Sequence, residues 1–191
     1  MRTLLILSAI FAPVGMLIPM AFGFCQPGYS SISQHMSELE SIPGAAAQAT
    51  RIGAFGSGLS IAAFGIALLL TKTSRMPFTA VAALVFGASI MSNGIFMVGS
   101  PLHGLYAIGL TCILAPAFFA AEYPYRSDGE RPDKISLTAS VLVLIYMWLL
   151  MTGLDPAPIR GLTQRVAVLP IFGWYSYASI KLLGHRPNAV V

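Results

Sequence analysis

MPFTAVAALVFGASIMSNGIFMVGSPLHGLYAIGLTCILAPAFFAA, residues 76 to 121, runs for 46 positions without Asp, Glu, Lys or Arg. A hydrocarbon core about 30 Å thick is crossed by about 20 apolar helical residues, so this stretch is long enough to cross twice. Gly99-Ser100-Pro101 supplies the break. The proline has no N–H to continue a helical ladder, and the glycine frees the turn.

Outward from this segment, Thr3 to Ser37, Ile52 to Thr71, Ile135 to Leu154 and Val166 to Ile180 are also free of charge. The pattern predicts an all-α, six-transmembrane-helix bundle forming a single membrane domain over residues 1–191. Its helices fall at about 3 to 22, 50 to 71, 78 to 98, 103 to 121, 135 to 154 and 162 to 183, with an outer loop at 23–49. Composition agrees: 56% of residues are hydrophobic and 9% charged, against roughly 25% charged in soluble domains. This balance excludes a disordered tail, a basic nucleic-acid-binding domain and a disulfide-stapled secreted miniprotein.

Lys and Arg in short loops set orientation, because cytoplasmic faces retain them in excess. With both termini inside, Arg2, Lys72, Arg75, Arg126, Arg131, Lys134, Lys181 and Arg186 are cytoplasmic, and Arg51, Arg160 and Arg165 are outside. That eight-to-three split predicts an inner-membrane protein with cytoplasmic termini, and accounts for the net charge of +4 without a nucleic-acid partner. Ala21-Phe22-Gly23 resembles a signal cleavage site, but the apolar run before it exceeds the usual signal core of about 7 to 15 residues, so it is read as a helix. Cys25 is expected at the outer surface and Cys112 within a helix, too far apart to pair.

Ala54, Gly58 and Ala62, with Gly53, Gly56 and Gly65 beside them, form a close-packing face. It serves either the chain's own helices or a second copy. Ser89, Ser92 and Asn93 are expected to hydrogen-bond between helices. Tyr123 and Tyr125 read as interfacial anchors, while Trp148, Trp174, Tyr175 and Tyr177 read as core or lipid-facing, or as lining a cavity. The segment Arg126 to Lys134 reads as a solvated loop.

Helix connections in bundles usually take about 2 to 8 residues, so the first outer loop is unusually long. Ser30 to Ser41 places Ser30, Gln34, Ser37, Glu38 and Ser41 on one side of a helical wheel and Ile32, Met36 and Leu39 on the other. This predicts a short amphipathic helix bounded by Pro27-Gly28 and Pro43-Gly44. His35 and Glu38, three residues apart, can meet on it. His103, Asp155, Arg160 and Arg165 lie on the same side of the membrane.

Three chemistries suit these groups. In a purely structural arrangement, Glu38 pairs with Arg165 or Arg51, and His103 caps its helix. In a binding site, Ser37, Glu38, His103 and Arg165 hold the head of a lipid-like amphiphile, Arg165 suiting phosphate or carboxylate through its planar fork. In an enzyme, Glu38, His103 and Ser37 are the candidates for a lipid-directed hydrolase, and His35, Glu38 and His103 for a metal. No HExxH, G-x-S-x-G or cysteine pair with zinc spacing accompanies them. Non-enzymatic binding of an amphiphile or membrane partner, without a cofactor, is the favoured expectation; a structural subunit or homo-oligomer is another. A proton-coupled transporter is disfavoured, since no charge falls mid-membrane.

Gly28-Tyr29-Ser30 followed by Ser37-Glu38-Leu39 resembles the bacterial six-helix membrane family called domain of unknown function 998. His103 near the fourth helix, Gly161 to Arg165 before the last helix, and Trp174 beyond extend the likeness along most of the chain. The resemblance implies the six-helix architecture and supports Glu38, His103 and Arg165; it gives His35 no support. Where many members have a proline and an aspartate after the third helix, Phe96 to Pro101 has no acid, which tells against metal or acid catalysis.

Overall fold

The computed structural model describes residues 1–71, 76–123 and 131–184. Lys72, Arg75, Arg126 and Arg186 of the charge count, together with Tyr125, Asp128 and Glu130, lie outside the described residues.

Each charge-free run carries helix. Arg2–Cys25 is α1, Ala45–Leu70 is α2 and Pro77–Ile95 is α3. A 3-10 stretch, Ile108–Ile113, leads into α4, Leu114–Glu122. Next come α5, Lys134–Thr152, α6, Arg160–Val168, and α7, Trp174–Gly184. A π-helical turn, Leu169–Gly173, joins α6 and α7. Pro170 explains it, because a proline cannot donate to the carbonyl four residues back. Five helices are long and apolar enough to cross a membrane: α1, α2, α3, α5 and the joined Arg160–Gly184.

The fourth expected helix differs. Residues 103 to 107 form turns, and Leu105, Tyr106 and Ala107 all take left-handed backbone with φ of 48°, 52° and 66°. His103 therefore sits in a turn before the helix and does not begin it. Pro116 accounts for the late α-helical start: it lacks the N–H that an α-ladder reaching Cys112 requires, and prolines are tolerated only in a first turn. Six residues of 3-10 helix and nine of α-helix together span about 25 Å at about 2.0 and 1.5 Å per residue, short of a full bilayer core.

The small-residue face of α2 is used within the chain. A Cβ on Gly58 would lie 2.6 Å from the Gly87 carbonyl oxygen of α3, and one on Gly53 would overlap the Gly15 carbonyl oxygen of α1. Helices α1, α2 and α3 therefore meet backbone to backbone. Alongside them, Phe64, Phe86, Phe119, Trp174 and Tyr175 bring α2, α3, α4 and α7 into one aromatic core, with Phe64 and Tyr175 edge to face at 5.4 Å. Trp174 and Tyr175 are core residues, whereas Trp148 is 64% exposed on the apolar surface. Cys25 is exposed, Cys112 is buried, and both are free.

At the end of the bundle carrying Met1, buried carboxylates close helix termini. Glu122 accepts from the Phe78 and Thr79 amides at 3.0 and 2.9 Å, capping α3. Asp133 accepts from the Ile135 amide and the Tyr177 hydroxyl and pairs with Lys181 at 3.2 Å. Asp133 is thus buried structure, which corrects the solvated-loop reading at that residue, while Arg131, Pro132 and Lys134 are exposed and 126–130 lie outside the described residues. Negative groups at helix N-termini complement the exposed N–H groups and the dipole.

Candidate functional site

The opposite end of the bundle carries the 26–44 loop, the 96–107 crossing and the α5–α6 turn. The loop begins at Gly28 and ends at Gly44, whose φ values of 77° and 130° only glycine adopts without strain. Between them the chain is not the expected amphipathic α-helix. Residues 31 to 33 form turns, and Met36–Ser41 is a 3-10 helix. Glu38 supplies a reason: its Oε1 accepts from the His35 amide at 2.9 Å, three residues back, and so fixes a tight first turn.

This geometry separates the two glutamates. At three residues per turn, positions 38 and 40 point about 120° apart. Glu38 faces α6, where Arg160 Nη2 meets its Oε1 at 3.2 Å and the Arg160 Nε donates to the Ser33 carbonyl at 2.9 Å. Arg160, and not the expected Arg165 or Arg51, is its partner. Arg51 instead donates to the Gly94 and Ile95 carbonyls at the end of α3. Ser37 is half-buried on the same turn.

Glu40 faces the other way. Its Oε2 accepts from the Val98 amide at 3.0 Å and lies 4.0 Å from His103 Nδ1. Because a carbonyl can only accept, the 2.9 Å contact between His103 Nδ1 and the Phe96 oxygen places the proton on Nδ1. His103 is therefore a clasp for the crossing, next to Glu40 rather than Glu38. Burial pushes the Glu40 carboxyl above the usual carboxylate range, against the Val98 amide, His103 and Arg51, which pull it down. Ser89 and Ser92 hold the same crossing through the Gly104 and Leu102 carbonyls.

Arg165 is 4% exposed and fastens the loop from beneath. Its Nη1 donates to the Gly161 carbonyl at 2.7 Å and the Gln34 carbonyl at 3.2 Å, and its Nη2 to the Tyr29 hydroxyl at 2.7 Å. The rings of Phe24 and Tyr29 lie 6.0 and 5.7 Å from the guanidinium carbon, within cation–π range. Burial raises the Tyr29 hydroxyl pKa despite Arg165 beside it, so Tyr29 stays a neutral phenol and donates to the Gln34 and His35 carbonyls at 3.1 and 3.0 Å. Gln164 Oε1 accepts from the Met36 amide at 2.6 Å. Gly161 completes the seat, since a Cβ there would overlap the Gln34 carbonyl oxygen.

His35 turns toward Asp155, with Nε2 3.7 Å from Oδ2. Asp155 Oδ1 accepts from Thr163 Oγ1 at 2.7 Å, but the buried Oδ2 has no hydrogen-bond donor. An unsatisfied buried acceptor costs about 1–3 kcal/mol. Thr163 also lines an apolar cleft of about 490 Å³ between α5 and α6, with Tyr146, Leu149, Leu162, Val166 and Leu169.

Glu38 and Arg165 are thus joined through the loop they both hold, while His103 belongs to the Glu40 cluster. Among the described residues, no group of three or more His, Cys, Asp or Glu side chains is placed to hold a metal. Glu40 escaped the wheel because it used the α period, whereas Tyr29 and Gln164 lie outside the 30–41 segment it covered. The available signal for Glu40 was a 3-10 phase, in which Met36 and Leu39 share one face and Glu38 and Glu40 diverge.

Five apolar helices of membrane-crossing length make this a multi-pass helical membrane protein. The chain belongs to the family described as "Protein of unknown function (DUF998)", which it matches over residues 9–181, a span that includes Tyr29, Glu38, His103, Asp155 and Arg165. No curated protein and no solved structure matches it.

Proposed function

We propose that this is a non-enzymatic membrane protein that binds a lipid-like amphiphile, its apolar chain seated between α5 and α6 at the loop end. The observation that carries this reading is the cleft of about 490 Å³, bounded by apolar side chains and meeting polar groups at Thr163. Ligand sites are typically of this size and character, mostly apolar with a few placed polar groups. The loop contributes rigidity: Arg160 and Arg165 tie it to α6, which forms one wall of the cleft. The Lys and Arg bias supports placement in a bacterial inner membrane with cytoplasmic termini and the loop end outside. A membrane protein partner is the other occupant this surface suits.

Native mass spectrometry from mild detergent tests the reading with Val166→Trp, which fills the cleft from a position 59% exposed, and Leu144→Trp, at an exposed position away from it. A lipid-sized mass retained by wild type and Leu144→Trp but lost from Val166→Trp is the expected result. Equal retention in all three overturns it.

A further inference from the structure

Arginine at the mouth of an amphiphile site normally points to a phosphate or carboxylate head. Here the three arginines at the loop end are committed to the chain itself. Arg51 serves the Gly94 and Ile95 carbonyls, Arg160 serves Ser33 and Glu38, and the two terminal nitrogens of Arg165 serve Gln34, Gly161 and Tyr29, leaving only its buried Nε without a partner. Arg165 also sits on the face of α6 turned toward α1, where Gly23 approaches its Nη2, while Leu162, Val166 and Leu169 on another face line the cleft.

One hydrogen bond behind the cleft lining lies an acid with unspent capacity. The Asp155 side chain is 6% exposed, and its Oδ1 is held by Thr163, a cleft-lining residue. Its Oδ2 lacks a hydrogen-bond donor, since His35 Nε2 at 3.7 Å stands at ion-pair distance but beyond hydrogen-bonding distance. A buried carboxylate held to a cleft-lining side chain through one oxygen, with its other oxygen lacking a donor, favours a donor that is also a cation. We infer that the amphiphile carries a hydrogen-bond-donating ammonium head that binds at Asp155, in preference to a phosphate or carboxylate head. This rests on the proposed cleft reading and adds the chemical class of the head group.

The test titrates the full chain in non-ionic detergent with dodecylammonium and, separately, dodecyl phosphate, following bound mass. Saturable one-to-one binding of the ammonium, at least about tenfold tighter than the phosphate, is expected. Asp155→Asn, which keeps an acceptor for Thr163, should abolish that preference, and Val166→Trp should abolish ammonium binding. A phosphate preference in wild type, or an ammonium preference that survives Asp155→Asn, overturns the head-group assignment and leaves the cleft standing. Binding of both probes by Val166→Trp at wild-type strength overturns the cleft itself. Because the wild-type comparison of the two heads is decisive alone, a poorly folded Asp155→Asn does not remove the test.

Discussion

Arg165 and Tyr29, 136 positions apart in sequence, meet at 2.7 Å, the guanidinium donating to the phenol. The same phenol donates onward to the backbone of residues 34 and 35, so a single buried cation organises the loop through one aromatic intermediary. Hydrogen bonds to charged groups contribute about 1.5–3 kcal/mol. Tyr29→Phe is expected to lower stability by about 2 kcal/mol and to increase amide exchange over residues 29 to 41, while leaving exchange in α2 and α3 unchanged. Hydrogen exchange measured peptide by peptide checks this.

Gly161→Ala adds one methyl group against the backbone of Gln34 and Ser31, which cannot rotate away as a side chain does. Overpacking of this kind costs roughly 1–3 kcal/mol. A lower melting midpoint with faster proteolysis inside the 26–44 loop is the expected outcome, measured by thermal melts and limited digestion.

Glu40 predicts a pH dependence with a definite sign. Burial raises its folded pKa above the ordinary carboxylate value, so between those two values the folded chain holds a proton that the unfolded chain has released. Stability then falls as pH rises through that window. Glu40→Gln keeps an acceptor for the Val98 amide and removes the ionisation, so its stability should lack this decline. Thermal melts of both proteins across the window, compared at equal ionic strength, measure the difference.

Gly53→Ala separates structural packing from assembly. The added Cβ would overlap the Gly15 carbonyl oxygen, forcing α1 away from α2 at a cost of roughly 1–3 kcal/mol. The melting midpoint should drop while the mass of the purified particle stays the same, since this face is spent within the chain. Light scattering with detergent correction reports the second quantity.

Sequence reasoning succeeded where one physical signal dominated. Charge-free runs located α1, α2, α3 and α5 to within a few residues, because lipid demands apolar length and backbone bonds closed within the helix. Only α2 began well before expectation, at Ala45. The true length of the fourth expected helix was obscured because hydropathy does not register Pro116 or the left-handed turn at Leu105 to Ala107. Arg165 and Glu38 were legible as unusual charges beside a membrane. Their partners were not, since the choice of Arg160 over Arg165 for Glu38 depends on a 3-10 turn set by a local hydrogen bond. Asp155 was visible as one charge of a cluster, but its buried oxygen without a donor and its bond to cleft-lining Thr163 are properties of tertiary packing.

The most direct measurement is an experimental structure in lipid nanodiscs at a resolution that shows acyl chains. An amphiphile site predicts elongated density along Tyr146, Val166 and Leu169 in the α5–α6 cleft, ending in a head group within hydrogen-bonding distance of Asp155. A cleft closed by direct packing of α5 on α6, or density no stronger than in the groove lined by Leu7, Phe11, Leu59 and Ala63, would contradict it.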